Sequence, residues 1–286
     1  MPSPTDFNLS PYYDDFDEAK KFHRILFRPA FAVQARELTQ SQSILQNQVE
    51  KVSDHLFEKG AMVIPGEIGY DLNYFAVKLT SFSGTLSNYD GSVLTGGTSG
   101  VQAIVVNTAA TDGSDPDTLF VKYIKTGTNN TATVFTDGET ITGVGADSSA
   151  VSAVVDTTAT GSAAEVQAGT YYINGFQVQV DNQTLILDKY TNTPSYRVGL
   201  TVTESFVTPS DDSTLNDNAA GSSNVNAPGA HRFKIQLTLA KLSLTSTSDS
   251  NFVELLRLSS GVIQNQVRTT EYSVLEDTLA RRTFDE

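Results

Sequence analysis

The sequence predicts a mainly β protein with an N-terminal helical region. Three observations predict it. Short apolar runs recur from Ala61 onward, separated by Gly, Pro, Asn and Asp turn residues. Only one long stretch, Phe31 to Phe57, repeats its apolar residues at helical spacing. Thr, Ser, Asn, Asp and Gly are abundant and Lys is scarce, a composition that suits strands and turns.

Residues 1–28 read as an extended docking arm followed by a short helix. Pro2, Pro4 and Pro11 interrupt regular structure, and Tyr12, Tyr13 and Phe16 offer aromatic anchors for another surface. Phe16 to Phe27 is the short helix, broken at Phe27-Arg28-Pro29. Residues 29–60 form the predicted oligomerisation helix. Phe31, Ala35, Leu38, Gln42, Leu45, Val49, Val52 and Leu56 alternate steps of four and three, the heptad seam of a coiled coil. Pro29 suits the first turn and Gly60 the C-terminal cap. Gln42, polar within the seam, would fix register and oligomer state. The alternative is a single amphipathic helix lying on its own β domain.

Residues 61–79 and 170–286 are predicted as a β core. Ala61 to Ile64 is a strand ending at Pro65-Gly66, and Asn73 to Leu79 is a second. Tyr171 to Val180 contains Asn174-Gly175 between alternating runs, a hairpin signal. Leu185 to Leu187 is a further strand. Tyr196, Val198, Leu200 and Val202 alternate, as do Phe233, Ile235, Leu237 and Leu239. Thr208 to Ala230, between them, has no periodicity and reads as a long loop that is either functional or in contact with other chains. Asn251 to Leu258 and Tyr272 to Leu279 are strand or short helix pieces.

Residues 80–169 differ in composition, rich in Thr and Gly with few cations, and are predicted as an inserted small β-barrel or sandwich. Leu94-Thr95-Gly96 leading to Val101–Thr108 resembles Ile141-Thr142-Gly143 leading to Val151–Thr157, a repeat of about 50 residues that predicts a duplicated β unit. Thr118 to Ile124 is a strand between the copies, and Asp137-Gly138-Glu139 a turn.

Charge and composition narrow the function. The net charge is −14, which disfavours nucleic acid and anionic membrane as partners. No local basic patch is expected, because Lys20 and Lys21 lie beside Asp17 and Glu18, and Arg281-Arg282 near Asp285 and Glu286. With no Cys, disulfides and thiolate metal sites are excluded. No apolar run approaches a membrane span and the first residues do not form a signal peptide, so a soluble chain made in the cytosol is expected.

Three histidines, His23, His55 and His231, show no metal-ligand spacing, and ordinary packed or solvated roles are expected. Gly96-Gly97-Thr98-Ser99-Gly100 precedes a strand and lacks Lys, so it reads as a turn and not as a phosphate loop. The carboxylates gather as Asp14-Asp15-Asp17-Glu18, as Asp112 with Asp115 and Asp117, and as Asp211-Asp212. Carboxylate pairs can cleave glycans and the Asp112–Asp117 loop could take calcium. Each cluster is local to a turn, however, so no catalytic residue, metal or cofactor is expected.

Several blocks resemble a known family. These are Tyr12-Tyr13-Asp14-Asp15-Phe16-Asp17-Glu18, Phe22–Pro29, Val33–Gln40 and Gly60–Gly66. A second set is Tyr196–Leu200, Thr208-Pro209, Asp211-Asp212, Leu215, Asp217-Asn218-Ala219 and Ala227–Arg232. The last is Leu279-Ala280-Arg281-Arg282-Thr283-Phe284-Asp285-Glu286. Together they are similar to a domain-of-unknown-function family of tail, baseplate and tail-fibre proteins from T-even-like cyanophages and other large tailed phages. The resemblance implies a virion structural protein, synthesised in the host cytoplasm, and a chain that continues beyond Glu286 in similar proteins. It also implies a homotrimeric baseplate or tail-fibre attachment component without catalytic activity. The implied partners are copies of itself, other baseplate or tail proteins, and as a third candidate the host surface. The alternatives are a receptor-binding fibre and a glycan-cleaving tailspike.

Overall fold

The computed structural model describes residues 5–128, 130–246, 249–267 and 272–285. Pro2 and Pro4 of the predicted arm and Glu286 lie outside them.

The chain is mainly β, arranged as three antiparallel sheets. In chain order the strands are β1 (Met62–Ile64), β2 (Ile68–Phe82), β3 (Val93–Gly96), β4 (Gln102–Ala109), β5 (Thr118–Lys125), β6 (Thr140–Val144), β7 (Ala150–Val166), β8 (Gly169–Ile173), β9 (Phe176–Val180), β10 (Gln183–Asp188), β11 (Tyr196–Val207), β12 (Arg232–Ser243), β13 (Phe252–Ser259) and β14 (Val262–Gln266). Two α-helices flank them, α1 (Ala35–Ser53) and α2 (Ser273–Asp285).

The first sheet runs β1-β8-β9 and the third runs β12-β11-β13-β14. Asn174 and Gly175, both at positive φ (47° and 87°), turn β8 into β9 as a hairpin of the primed type. Side chains from these two sheets interleave with the outer ends of β2 and β7 over one core, in which Met62, Tyr171, Leu187, Leu200, Leu256 and Leu258 are buried.

The second sheet closes on itself. β7, β2, β5, β4, β3 and β6 are joined in that order, and β6 pairs back with β7. The result is a six-stranded barrel filled by its own apolar cluster, including Leu79, Tyr89, Leu94, Phe135 and Ile141. The two copies of the repeat meet inside its wall. β3 pairs with β6 so that Thr95 faces Thr142, Leu94 faces Gly143 and Gly96 faces Ile141. Their following strands match too, with Leu94 opposite Ala103 and Ile141 opposite Ala153. The barrel is therefore a local two-fold arrangement of two three-stranded units. Its boundary differs from the predicted insert. β2 and β7 pair from Ile68↔Val166 to Phe82↔Ala153 and run without interruption from core into barrel, so the barrel begins inside β2.

The helical part departs from the expectation most. Among the described residues there is no long heptad helix and no coiled coil. Of the predicted 29–60 only Ala35–Ser53, 19 residues, is helical. Phe31 lies ahead of it, in irregular chain after Pro29 and the left-handed Ala30 (φ 67°). Glu37 accepts the Gln34 N–H at 2.9 Å and fixes the start. At the other end Leu56 N–H turns back to the Ser53 carbonyl at 2.9 Å, a tightened last turn that takes Leu56 out of register. Fewer than about three heptads remain, below what a coiled coil sustains. The predicted helix at Phe16–Phe27 is also absent. Only a 3-10 turn, Glu18–Lys20, forms there, closed by left-handed Lys21 (φ 57°).

Candidate interaction surface

The N-terminal arm lies on the protein's own C-terminal sheet. Phe7 meets Phe206 and Phe233 edge to face, with ring centroids 5.9 and 5.0 Å apart. Tyr12 packs 5.1 Å from Phe206, and its hydroxyl lies 2.7 Å from His231 Nδ1. Thr5 donates to the Glu204 carboxylate. Of the three predicted anchors, Tyr12 is used internally, Phe16 is half-buried and Tyr13 is exposed. Of the receiving residues, Phe233 and His231 are named by the sequence reading without this role, and Phe206 is missed. Their alternation was visible, but alternation cannot say what covers the outer ends of β11 and β12.

Past Tyr13 the arm turns onto α1 and meets its polar face. Asp14, buried, accepts from Ser43 Oγ, and Asp15 accepts from Gln40 Nε2 at 3.1 Å. Gln46 Nε2 donates to the Gly175 carbonyl at the hairpin tip, 2.6 Å. Near the end of α1, Tyr172 OH donates to Asp54 at 2.5 Å. Burial first, then the Asp54 carboxylate, push the Tyr172 phenol well above its usual range. Ile44 is the one buried apolar residue of α1. The inner face is thus held by hydrogen bonds to carboxylates and a carbonyl.

The apolar face points outward. Leu38, Leu45, Val49 and Val52 are 54, 68, 51 and 65 % exposed, and Phe31 62 %. Ala35 and Gln42 are exposed and Leu56 is half-buried. The predicted seam residues therefore lie outside, except that Phe31 and Leu56 leave the helix. The helix does lie on its own β domain, but through its polar face and Ile44 and not through the apolar stripe. Phe22, Leu26, Phe27 and Val33, in the irregular segment before α1, are exposed as well. α2 is similar, with no buried residue and with Leu279 and Phe284 exposed. Contiguous apolar surface of this kind marks contact sites.

The stretch leading into α1 is rich in cations. Residues 19–36 hold Lys20, Lys21, Arg24, Arg28 and Arg36 and no carboxylate. Carboxylates flank this stretch: Asp17 and Glu18 lie just ahead of Lys20, and Arg36 pairs with Asp15 at 3.7 Å. Asp17 caps the Ala19 N–H, and Glu18 pairs with Lys51.

The other candidate residues sit in turns. Asp112 and Asp115 both hold Lys189, at 2.7 and 3.0 Å, and Lys189 with two backbone N–H groups keeps the Asp112 carboxyl far below its usual range. Asp211 and Asp212 accept from Thr208 and Thr214 in exposed turns. His55 Nδ1 lies 2.7 Å from the Lys51 carbonyl. Among the described residues no three carboxylates or histidines gather as a metal set, and no helix is long and apolar enough to cross a membrane. A shallow cleft of about 520 Å³ is lined by Leu244, Glu254, Arg257 and Gln264. Glu254 there is engaged by Arg257 at 2.7 Å and Arg197 at 2.5 Å, which hold it ionised. The glycine-rich Gly96–Gly100 turn wraps Glu139, which accepts from Thr98 N–H at 3.0 Å and Ser99 N–H at 2.9 Å. An acidic side chain thus fills the turn.

A family model described as a domain of unknown function (DUF4815) matches residues 10–120 and 117–286. No curated protein and no solved structure matches the chain.

Proposed function

The chain belongs to the DUF4815 family, and from that premise we propose that it is a structural component of a tailed-phage virion. In this reading it sits at the baseplate or at the attachment of a tail fibre. It works by holding copies of itself, as a homotrimer, and neighbouring tail proteins, without catalysis of its own. The observation that carries the reading is the outward apolar face of α1, continued by the exposed Phe22, Leu26, Phe27 and Phe31. A helix that hydrogen-bonds inward and turns Leu and Val to solvent is built to be covered by another chain. Trimerisation in this reading does not run through a coiled coil. The net charge of −14 argues against nucleic acid as partner.

The test is made in particles of the phage that encodes the chain. Mass spectrometry of gradient-purified virions should find the protein at fixed stoichiometry to other tail proteins. A variant with Leu45→Glu and Val49→Glu should be made and folded but missing from particles. Absence of the unaltered protein from virions would sink the virion reading. Normal incorporation of the variant would remove α1 as the contact surface.

A further inference from the structure

We propose that the N-terminal arm is exchanged between copies. Residues 5–18 of one copy would seat in the groove of Glu204, Phe206, Phe233 and His231, and on the polar face of α1, of a second copy. The inference rests on the self-association part of the preceding reading.

The groove and its occupant are both on view. Phe7 and Tyr12, five residues apart, fill a notch between the ends of β11 and β12, and Thr5 fixes the register through Glu204. An identical arm from another copy would make the same contacts, because a groove does not distinguish which chain supplies its ligand.

The connection permits either arrangement. Glu18 lies beside Lys51 near the end of α1, whereas the helix begins at Ala35. Residues 19–34 must therefore travel back only about 24 Å, the length of sixteen helical residues. Sixteen residues of extended chain reach about 53 Å. The segment contains no buried side chain and is bounded by two left-handed non-glycine residues, Lys21 and Ala30. Each such residue is strained in the closed form by about 1 kcal/mol.

Closure within one chain has the advantage of high effective concentration. Exchange remakes every arm contact, so the balance is decided by what else changes. The closed copy leaves Phe22, Leu26, Phe27, Phe31 and Val33 in water, and exchange would bring a second copy alongside to cover them. Charge points the same way. Residues 19–34 carry +4, from Lys20, Lys21, Arg24 and Arg28, so the remainder of a chain of net −14 carries −14 − 4 = −18. A cationic linker laid against the acidic body of a neighbour is attracted to it.

Because the chain has no Cys, a disulfide can report the contact. Thr5→Cys and Glu204→Cys are made as separate full-length variants, one with a mass tag, refolded together from urea and oxidised. Exchange predicts a mixed disulfide-linked pair well above the level given by Ser222→Cys, placed in an exposed loop, in the same mixture. The double variant in one chain checks that the bond can close. A mixed pair no more abundant than that background, while the double variant bridges itself, overturns the exchange. If the double variant does not bridge, Phe7→Ser with Tyr12→Ser, measured by light scattering, decides. Loss of the oligomer supports exchange and its persistence overturns it. An oligomer without mixed disulfide leaves self-association standing and removes only the exchange, whereas a folded monomer removes both.

Discussion

Glu139 is a carboxylate buried in the barrel wall, and the donors around it explain how it is tolerated. Besides Thr98 and Ser99 N–H, it accepts from Ser99 Oγ at 2.8 Å and Thr136 N–H at 2.7 Å. Burial works against its charge, but the hydrogen bonds from Ser99, Thr136 and Thr98 outweigh it and hold the carboxyl below its usual value. A depressed folded-state value means that the stabilisation is complete above the unfolded value of 4.5 and is lost as pH falls through the folded one. Urea unfolding across pH 3–7 should show this loss, and Glu139→Gln should flatten it while costing about 1–3 kcal/mol at neutral pH. A variant with the pH slope of the unaltered chain would refute the assignment. Gly143, in the second copy of the repeat, is fixed by close approach. A Cβ there would stand 2.4 Å from the Val93 carbonyl across the strand pair, so Gly143→Ala should lower the unfolding midpoint, by about 1–3 kcal/mol of stability. The two Thr-Gly repeats were readable as sequence. That Glu139 would fill the glycine-rich turn was not, because its donors come from residues about 40 positions away.

α1 shows how far periodicity can be trusted at the scale of an element. The apolar spacing from Ala35 to Val52 does mark a helix with one apolar face. The helix stops short of Phe31 and Leu56, and the face turned to the rest of the chain is its polar one. The inner side is decided by partners distant in sequence, Asp14 and Asp15 of the arm and the hairpin tip at Gly175, which no local pattern contains. Opposite substitutions should separate the faces. Ile44→Ala, on the inner face, should cost about 2–4 kcal/mol. Leu45→Glu with Val49→Glu should leave the urea midpoint within about 0.5 kcal/mol of the unaltered chain, as exposed positions do. If the outer pair proves as destabilising as Ile44→Ala in a monomeric sample, that face is packed internally and the reading of α1 fails. Strands fared better. The hairpin at Asn174-Gly175 and the alternation in β11 and β12 report local backbone and burial directly, and those elements stand where the sequence placed them.

For the molecule as a whole, the sequence separated an inserted β unit from a β core, and the structure joins them more closely than that division suggests. β2 and β7 are common to both, because one long strand pair can bury two clusters in turn along its length. Barrel closure through the β6–β7 ladder could not be read from composition, which identifies strands without naming their neighbours. In the sequence the arm reads as docking on another surface. It reaches its own chain first, through Phe206, Phe233 and His231. The outer face of α1 and the apolar residues among 22–33 stay uncovered, and the proposed assembly role rests on them. Light scattering on the purified full-length chain tests it most directly, beside the Leu45→Glu, Val49→Glu variant at the same concentration. The account predicts a multiple of the 30.8 kDa protomer mass for the unaltered chain, three copies in the proposed arrangement, and a folded monomer for the variant. A folded monomer for the unaltered chain, or an unchanged oligomer for the variant, would contradict it.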